Sequence, residues 1–500
     1  MHRDQTTLSM IQKMKKSGGA STGHQSRHAA LPITFIYERP QSPTPTGSPS
    51  LSPEETPSPQ FAPTLPLTER AACHFASNFI LIPHSGNGTQ RGFLSYIMPL
   101  MESEPHDGSL RFAFNACSLA LMSNLEKADG VNLSNLTLEE HTLALARTHA
   151  ALGNPATANL DSTLATVLLL TLFESITAVK QSQMLSWRTH LQGAINIVKS
   201  RGREQLRRTK VGAILLNAVR QQLITRALSE GTEPPMGGNW WMHGADVDLS
   251  PTAATCQRLA LRTAELRAEV SRTMESTPRT PESRDEMSRL TQVVQSLDSD
   301  AANFLQNIPP ESGFKTLCWI KDTDPEFLRF GGDYSKSEIY PGRIDVYPDV
   351  MTAAAWNLVR VTRLILASLK IRITTWLSFP TNHHETPEYM TWKPICQDII
   401  ADIISSAPYQ LGWRDTNRTQ VFDANPALTT GFACGVDGPA KALPALLLSW
   451  ALVSVKNHDF CQPNQREWAS GRLKFIEQKA GLKYAGVVNE VGWKTAPQFT

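Results

Sequence analysis

The stretch Asn159-Leu-Asp-Ser-Thr-Leu-Ala-Thr-Val-Leu-Leu-Leu-Thr-Leu-Phe-Glu174 is apolar nearly all the way round a helix. A helix without a polar face cannot lie on a protein surface, so it predicts a bundle in which other helices surround it. Asn159 or Asp161 is expected to cap its start. Its neighbours read as helices too. Thr137-Leu-Glu-Glu140 fits a capping box opening a helix that runs to Gly153-Asn-Pro155, a Gly-then-Pro stop. Between Ser186 and Gly202, the residues Trp187, Leu191, Ala194 and Val198 share one face, and Gly193 lies beside that stripe as a point of close helix approach. Gly202 is the expected C-cap, with Lys199 and Arg201 in the last turn against the negative end of the helix dipole.

Helical spacing begins near residue 68 and continues, with further helices predicted at 253–276, 283–306, 349–379, 394–406, 439–456 and 463–481. No run of alternating strands compares with them. The segment 307–348, rich in proline and glycine, reads as a long irregular connection between two helical halves of one superdomain. From Pro40 to Pro66 a proline recurs every few positions, and such a segment offers too little apolar surface to offset the entropy of ordering it. The expected fold is all-α: a helical bundle or array over residues 68–490, behind a disordered Pro/Ser/Thr-rich tail over 1–67 and before a short C-terminal tail over 491–500.

The 48 basic and 46 acidic residues nearly cancel, so the chain as a whole has no field that draws it to nucleic acid or to an anionic membrane. Seven cysteines are scattered, the nearest pair being Cys434 and Cys461, 27 residues apart. A zinc site built from local loops needs cysteines two to four residues apart, so these are expected to be buried small hydrophobes in a reducing compartment. The N-terminus has no apolar signal core, and the longest apolar run, Ala442 to Val455, falls short of the roughly 20 residues that cross a bilayer. An intracellular protein with no membrane association is expected, and the run reads as a core helix.

The motifs that carry chemistry are weak. Gly19-x-Ser-x-Gly23 matches an esterase elbow but lies in a polar tail with no preceding strand. Asp398 and Asp402 share a helix face and read as its solvated side rather than as an acid/base pair. His383-His384-Glu385 is the densest metal-like cluster, and its place between Pro380 and Pro387 reads as a surface turn. His190 is expected to be a hydrogen-bonded structural histidine. The basic run Lys199, Arg201, Arg203, Arg207, Arg208 and Lys210 reads as a helix end with a solvated loop, and Lys13, Lys15 and Lys16 as solvated charge rather than an import signal. No glutamate has a histidine three positions later, and no His-Glu-x-x-His occurs, so the metal signatures of helical enzymes are missing. No catalytic, cofactor or metal residue is assigned.

In order along the chain, Phe93-Leu-Ser-Tyr-Ile-Met-Pro-Leu100, Ala144 to Leu152, Asp161 to Glu174, Trp187-Arg-Thr-His-Leu-Gln-Gly-Ala194 with Arg201-Gly202, Ala442 to Trp450, and Arg466-Glu-Trp468 with Gly481 to Ala485 resemble the fungal-specific transcription factor domain. The resemblance covers roughly 70–490. It implies the regulatory body of a fungal transcriptional regulator, not an enzyme and without a cofactor, nuclear with the cytoplasm as the alternative, controlling a metabolic or secondary-metabolite pathway. It implies protein partners from the transcription machinery, a related regulator or a second copy. Relatives normally carry six closely spaced cysteines holding two zinc ions, absent here, so this chain alone is expected not to bind DNA sequence-specifically, and no DNA-binding residue is assigned. Either the gene prediction lacks a first exon or the protein acts without touching DNA. Two other readings stay open: a helical enzyme with a dispersed site, and a dimerising scaffold that sequesters a related regulator.

Overall fold

The computed structural model describes residues 65–82, 92–125, 133–245, 249–276, 280–379, 382–413 and 441–491, all within one compact unit that spans 64–500. Expectations for residues 1–64, including the Gly19–Gly23 string and the Lys13 to Lys16 cluster, fall outside the described residues, as do those for Cys434 and residues 492–500.

The first layer comprises α1 (Leu67–Phe79), α2 (Ile97–Ser103), α3 (Ser109–Leu125), α4 (Leu133–Gly153) and α5 (Asp161–Thr177). Helix α3 packs against α1, α4 and α5. From Thr163 to Leu170 no residue of α5 is more than 4% exposed, the all-round burial its composition demands. The capping assignments before it need correction. Helix α4 starts at Leu133, and Thr137 is a buried interior residue whose hydroxyl donates to the Leu133 carbonyl at 2.8 Å. A threonine hydroxyl satisfies a helix start or back-bonds to the fourth preceding carbonyl with equal ease, so the local pattern alone does not fix the boundary. At α5 the N-cap is Leu160, without a side-chain hydrogen bond, and Asp161 sits in the first turn, where it accepts from Arg201 at 2.8 Å.

Next come α6 (Met184–Arg201), the short α7 (Arg203–Leu206), α8 (Lys210–Glu230), α9 (Gly238–Met242), α10 (Pro251–Ser276) and α11 (Pro281–Gln306). Trp187, Leu191, Ala194 and Val198 of α6 are all buried, and Gly202 ends the helix with φ 77°. Gly193 is not a site of enforced close approach, since a Cβ there would meet Val167 of α5 at 3.8 Å, an ordinary contact.

The proline- and glycine-rich segment contains regular structure that its composition concealed. Strand β1 (Lys315–Ile320), the short α12 (Pro325–Leu328) and strand β2 (Gly342–Val346) follow in order, and the two strands pair antiparallel with a bulge between Thr316 and Cys318. Strands of six and five residues are too short to show period two clearly, and Arg343 of β2 reaches both Asp345 and a helix beyond.

That helix belongs to the C-terminal half, which comprises α13 (Val350–Ser378), α14 (Pro387–Gln410), α15 (Ala442–Asn457), α16 (Pro463–Lys479) and α17 (Tyr484–Val491). Asp349 caps α13, accepting from the amides of Met351 and Thr352 at 2.8 and 2.9 Å. Helix α13 is long and apolar enough to cross a membrane by length and composition, yet 72% of its apolar window is buried inside the fold by α10, α11, α14 and α15. Helix α14 starts seven residues before the expected 394 and runs through Pro394, because Trp392 and Cys396 on either side are buried and outweigh the lost backbone bond. The chain closes on its beginning: α15 packs on α1, α16 on α3 and α17 on α5. Asn124 of α3 ties the two ends, donating to the carbonyls of Ile176 and Gly481 at 2.8 Å each. Of the described cysteines, five are buried and Cys73 is exposed, against expectation for that one.

Candidate ligand cavity and the arginines behind its wall

Where the two halves meet, the helices leave a cavity of about 260 Å³. Its wall takes Phe93, Leu94 and Tyr96 from the segment before α2, Leu168 and Leu172 from α5, Trp187 from α6, Ile214 to Thr225 from α8, Gln257 from α10, Met351 to Leu358 from α13, Leu446 to Val453 from α15, and Tyr484 and Val488 from α17. Large side chains converge from eight segments and cannot fill the centre completely. No carboxylate, imidazole, amine or guanidinium belongs to this wall among the described residues. The segment before α2 enters by a single antiparallel bridge, Leu81 with Phe93, and Leu94 then takes φ 52°. A left-handed backbone costs a leucine about 1–3 kcal/mol and persists only where its surroundings impose it.

Two sets of amides face the cavity, and each is held from behind by a buried arginine. Asn217 accepts from Arg220 Nη2 at 3.0 Å and from Gln257 Nε2 at 3.1 Å, while Gln257 Oε1 accepts from Arg220 Nε at 2.6 Å. Asn357 donates to Ser406 Oγ and to Gln410 Oε1 at 2.9 Å each, and its own oxygen accepts from Arg360 Nη1 at 3.1 Å. Arg360, 1% exposed, also donates to Tyr347 at 2.7 Å and lies over the rings of Phe314, Trp356 and Tyr347 at 5.2 to 5.9 Å. Its counter-charge is Asp402 at 3.8 Å, which Arg343 also contacts at 2.5 Å. Asp402 is therefore an ion-pair partner and not simply the solvated side of α14; Asp398, one turn earlier, is exposed. Two charges thus stand one layer outside a neutral wall, fixing which atom of each amide the cavity sees.

The other sequence candidates lie elsewhere. His190 Nε2 is 3.6 Å from Glu174, and His141 stacks on Phe173 at 4.1 Å, its imidazole pKa lowered chiefly by burial. This half-buried His141, Glu174 and His190 group is a cluster that sequence spacing missed, because α4, α5 and α6 each supply one member. None of the three lines the cavity. His384 and Glu385 lie in a one-turn helix, with His384 against Tyr389 at 4.7 Å. Among the described residues no three His, Cys, Asp or Glu side chains converge to hold a metal. In the basic run, Arg201 is spent on Asp161, Arg203 on the Trp240 carbonyl and ring, and Arg207 on Glu204, while Lys199, Arg208 and Lys210 are exposed.

A family description, fungal specific transcription factor domain, matches residues 73–319. Among curated proteins, transcription factor dbaG of Emericella nidulans is 25% identical over 146 residues, which is 29% of this chain and 31% of that relative. The match thus spans less than a third of either protein. No solved structure matches the chain. The C-terminal phrases from Ala442 to Ala485 lie beyond the matched residues but pack on helices within them. The chain is thus similar over residues 73–319 to the fungal specific transcription factor domain.

Proposed function

We propose that this chain is the regulatory body of a fungal-type transcriptional regulator, acting in the nucleus on a metabolic or secondary-metabolite pathway, and that it is not an enzyme. The observation that carries the reading is the domain match over residues 73–319, with a relative described as a transcription factor. A cavity wall that holds no carboxylate, imidazole or amine among the described residues supports it against the enzyme alternative. Fused to a foreign DNA-binding domain, residues 65–491 are expected to change reporter output at least several-fold in either direction. No change, together with turnover lost on replacing Glu174 or His190, would reverse the reading.

Sequence-specific DNA binding by this chain alone is not part of the proposal. Half of the basic run is already tied to acidic or carbonyl oxygens, which leaves phosphate contacts without a reading helix. In gel shifts on random duplexes, weak binding that collapses between 50 and 200 mM salt is the expected result.

Its partners are proposed to be proteins, a second copy first among them. Leu138, Leu145 and Leu152 of α4 recur every seven residues and are 63%, 39% and 44% exposed. A seven-residue leucine row is the period at which two like helices pair. Sedimentation should find a dimer that Leu138→Glu with Leu145→Glu converts to monomer; an unchanged mass would remove this row as the surface.

A further inference from the structure

Six prolines stand between Ser42 and Pro59, and every one of them follows a serine or threonine: Ser42, Thr44, Ser48, Ser52, Thr56 and Ser58. The chain holds 33 prolines, and outside this segment only four follow a hydroxyl residue, namely Ser250, Thr277, Thr280 and Thr386. In the folded body the pair has a structural use. Thr280 accepts from the Ser283 amide at 3.3 Å where Pro281 opens α11, and Thr386 accepts from the Tyr389 amide at 3.3 Å where Pro387 opens α14. Ser250 accepts from the Ala253 amide at 3.4 Å where Pro251 opens α10. A hydroxyl at the N-cap with proline at the first helical position is the arrangement that both residues prefer. Thr277 lies outside the described residues.

Helix capping cannot account for the six pairs in 42–59. They recur every two to four residues. One helical turn takes about 3.6 residues, and proline inside a helix costs about 3 kcal/mol, so no helix fits between one pair and the next. A stiff spacer needs the prolines but has no use for a hydroxyl ahead of every one. What remains common to the six is chemical: a nucleophilic hydroxyl followed by a residue without an N–H. Proline also disfavours the helical conformation for the residue before it, so a hydroxyl in that place is offered on extended backbone. No lysine or arginine lies between Pro40 and Thr68, and Glu54 and Glu55 are the acids there. Neither charge can select all six sites, and proline can. Ser58 stands nine residues ahead of Leu67, where α1 begins, a length that spans up to about 30 Å and leaves room for an enzyme's cleft.

We propose that residues 42–59 are a multisite phosphorylation segment for a serine/threonine protein kinase directed by the following proline. At each site the hydroxyl oxygen bonds to the γ-phosphorus of ATP, the bond from that phosphorus to the β,γ-bridging oxygen breaks, ADP leaves, and the hydroxyl proton is released. Each phosphate adds about −1.5 to −2 of charge at neutral pH, so the six sites together carry the chain from +2 to roughly −7 to −10. The sign of the whole chain reverses, and the change is concentrated in one short segment beside the folded body. This inference goes beyond the regulator reading and does not rest on it.

The test has two arms, both on the full-length chain. In the first, purified chain is incubated with ATP and a proline-directed kinase, and phosphates are counted by intact mass and placed by peptide mapping. Up to six should enter 42–59 and none Ser250, Thr280 or Thr386, whose hydroxyls are engaged by helix amides. A variant carrying Pro43→Ala, Pro45→Ala, Pro49→Ala, Pro53→Ala, Pro57→Ala and Pro59→Ala keeps every hydroxyl. It should lose incorporation in 42–59 while its thermal transition stays where it was. In the second arm, tagged chain recovered from growing fungal cells should carry phosphates at these positions, and phosphatase should remove them. Incorporation that persists in the alanine variant, or that is as high at the three capping hydroxyls, would overturn the proposal. So would recovered 42–59 peptides that carry hexoses, or nothing, in place of phosphate; retention of the unmodified segment on SH3 or WW domains would then assign it to peptide docking. Reporter output enters neither arm, so loss of one conclusion does not carry the other with it.

Discussion

A fragment ending at residue 319, where the family match ends, is expected not to fold. The matched helices do not bury one another's apolar faces by themselves: α10 and α11 pack on α13, α1 on α15 and α5 on α17. One continuous core runs through both halves, from Phe75 in α1 to Val488 in α17. Uncovering a large buried aliphatic or aromatic side chain forfeits about 1.5–3 kcal/mol. Ten such side chains outweigh the roughly 5–15 kcal/mol by which a folded protein is stable. The all-round apolar surface of α5 makes the fragment an aggregation hazard as well as an unstable one. Residues 65–491 should give a cooperative thermal transition, and residues 65–319 should give none, with rapid proteolysis throughout. A cooperative melt of the shorter fragment would show that the core divides at 319.

Replacing Arg360 by Ala is expected to cost about 3–5 kcal/mol, read from the midpoint and slope of urea unfolding. The guanidinium fills space among Phe314, Tyr347 and Trp356, so its removal leaves a cavity. It also leaves the Tyr347 oxygen without its donor and the Asn357 oxygen with the Ser406 hydroxyl at 3.2 Å alone. Asp402 keeps Arg343 at 2.5 Å, which moderates the loss of the ion pair itself. Arg360→Met restores most of the volume without the charge and should recover about half of the stability. Arg360→Lys keeps the charge but has no planar fork to stack on the rings and donate at once, so it should not restore wild-type stability. Full stability in Arg360→Met would show that only the volume of this side chain matters.

Much of the helical architecture was readable from spacing because the signal is local. In α6, four apolar positions and a terminal glycine specify a face and an end within eighteen residues, and the structure keeps both. The unbroken apolar run of α5 carries its own conclusion, since a helix with no polar side must be enclosed. The hairpin at 315–346 was not readable, because its short strands sit among prolines and glycines that score as punctuation. The start of α4 was misread because Thr137 fits a cap and an interior position equally well. Proline at 394 hid the first turns of α14, which tertiary burial of Trp392 and Cys396 maintains.

For the cavity the division is sharper. Sequence alone settled the class of fold, the central place of α5 and the resemblance that the match over 73–319 then supported. It could not assemble Tyr96, Gln222, Gln257, Asn357 and Trp450 around one space, because they are tens to hundreds of residues apart and each is unremarkable where it stands. Nor could it distinguish Arg220 and Arg360 from surface arginines, since a buried cation is recognised only by the partners that the fold brings to it. Helical periodicity is a property of neighbours in sequence, and it decided the elements. Which polar atoms are left unpaired inside is a property of the completed packing, and only the tertiary structure decided that.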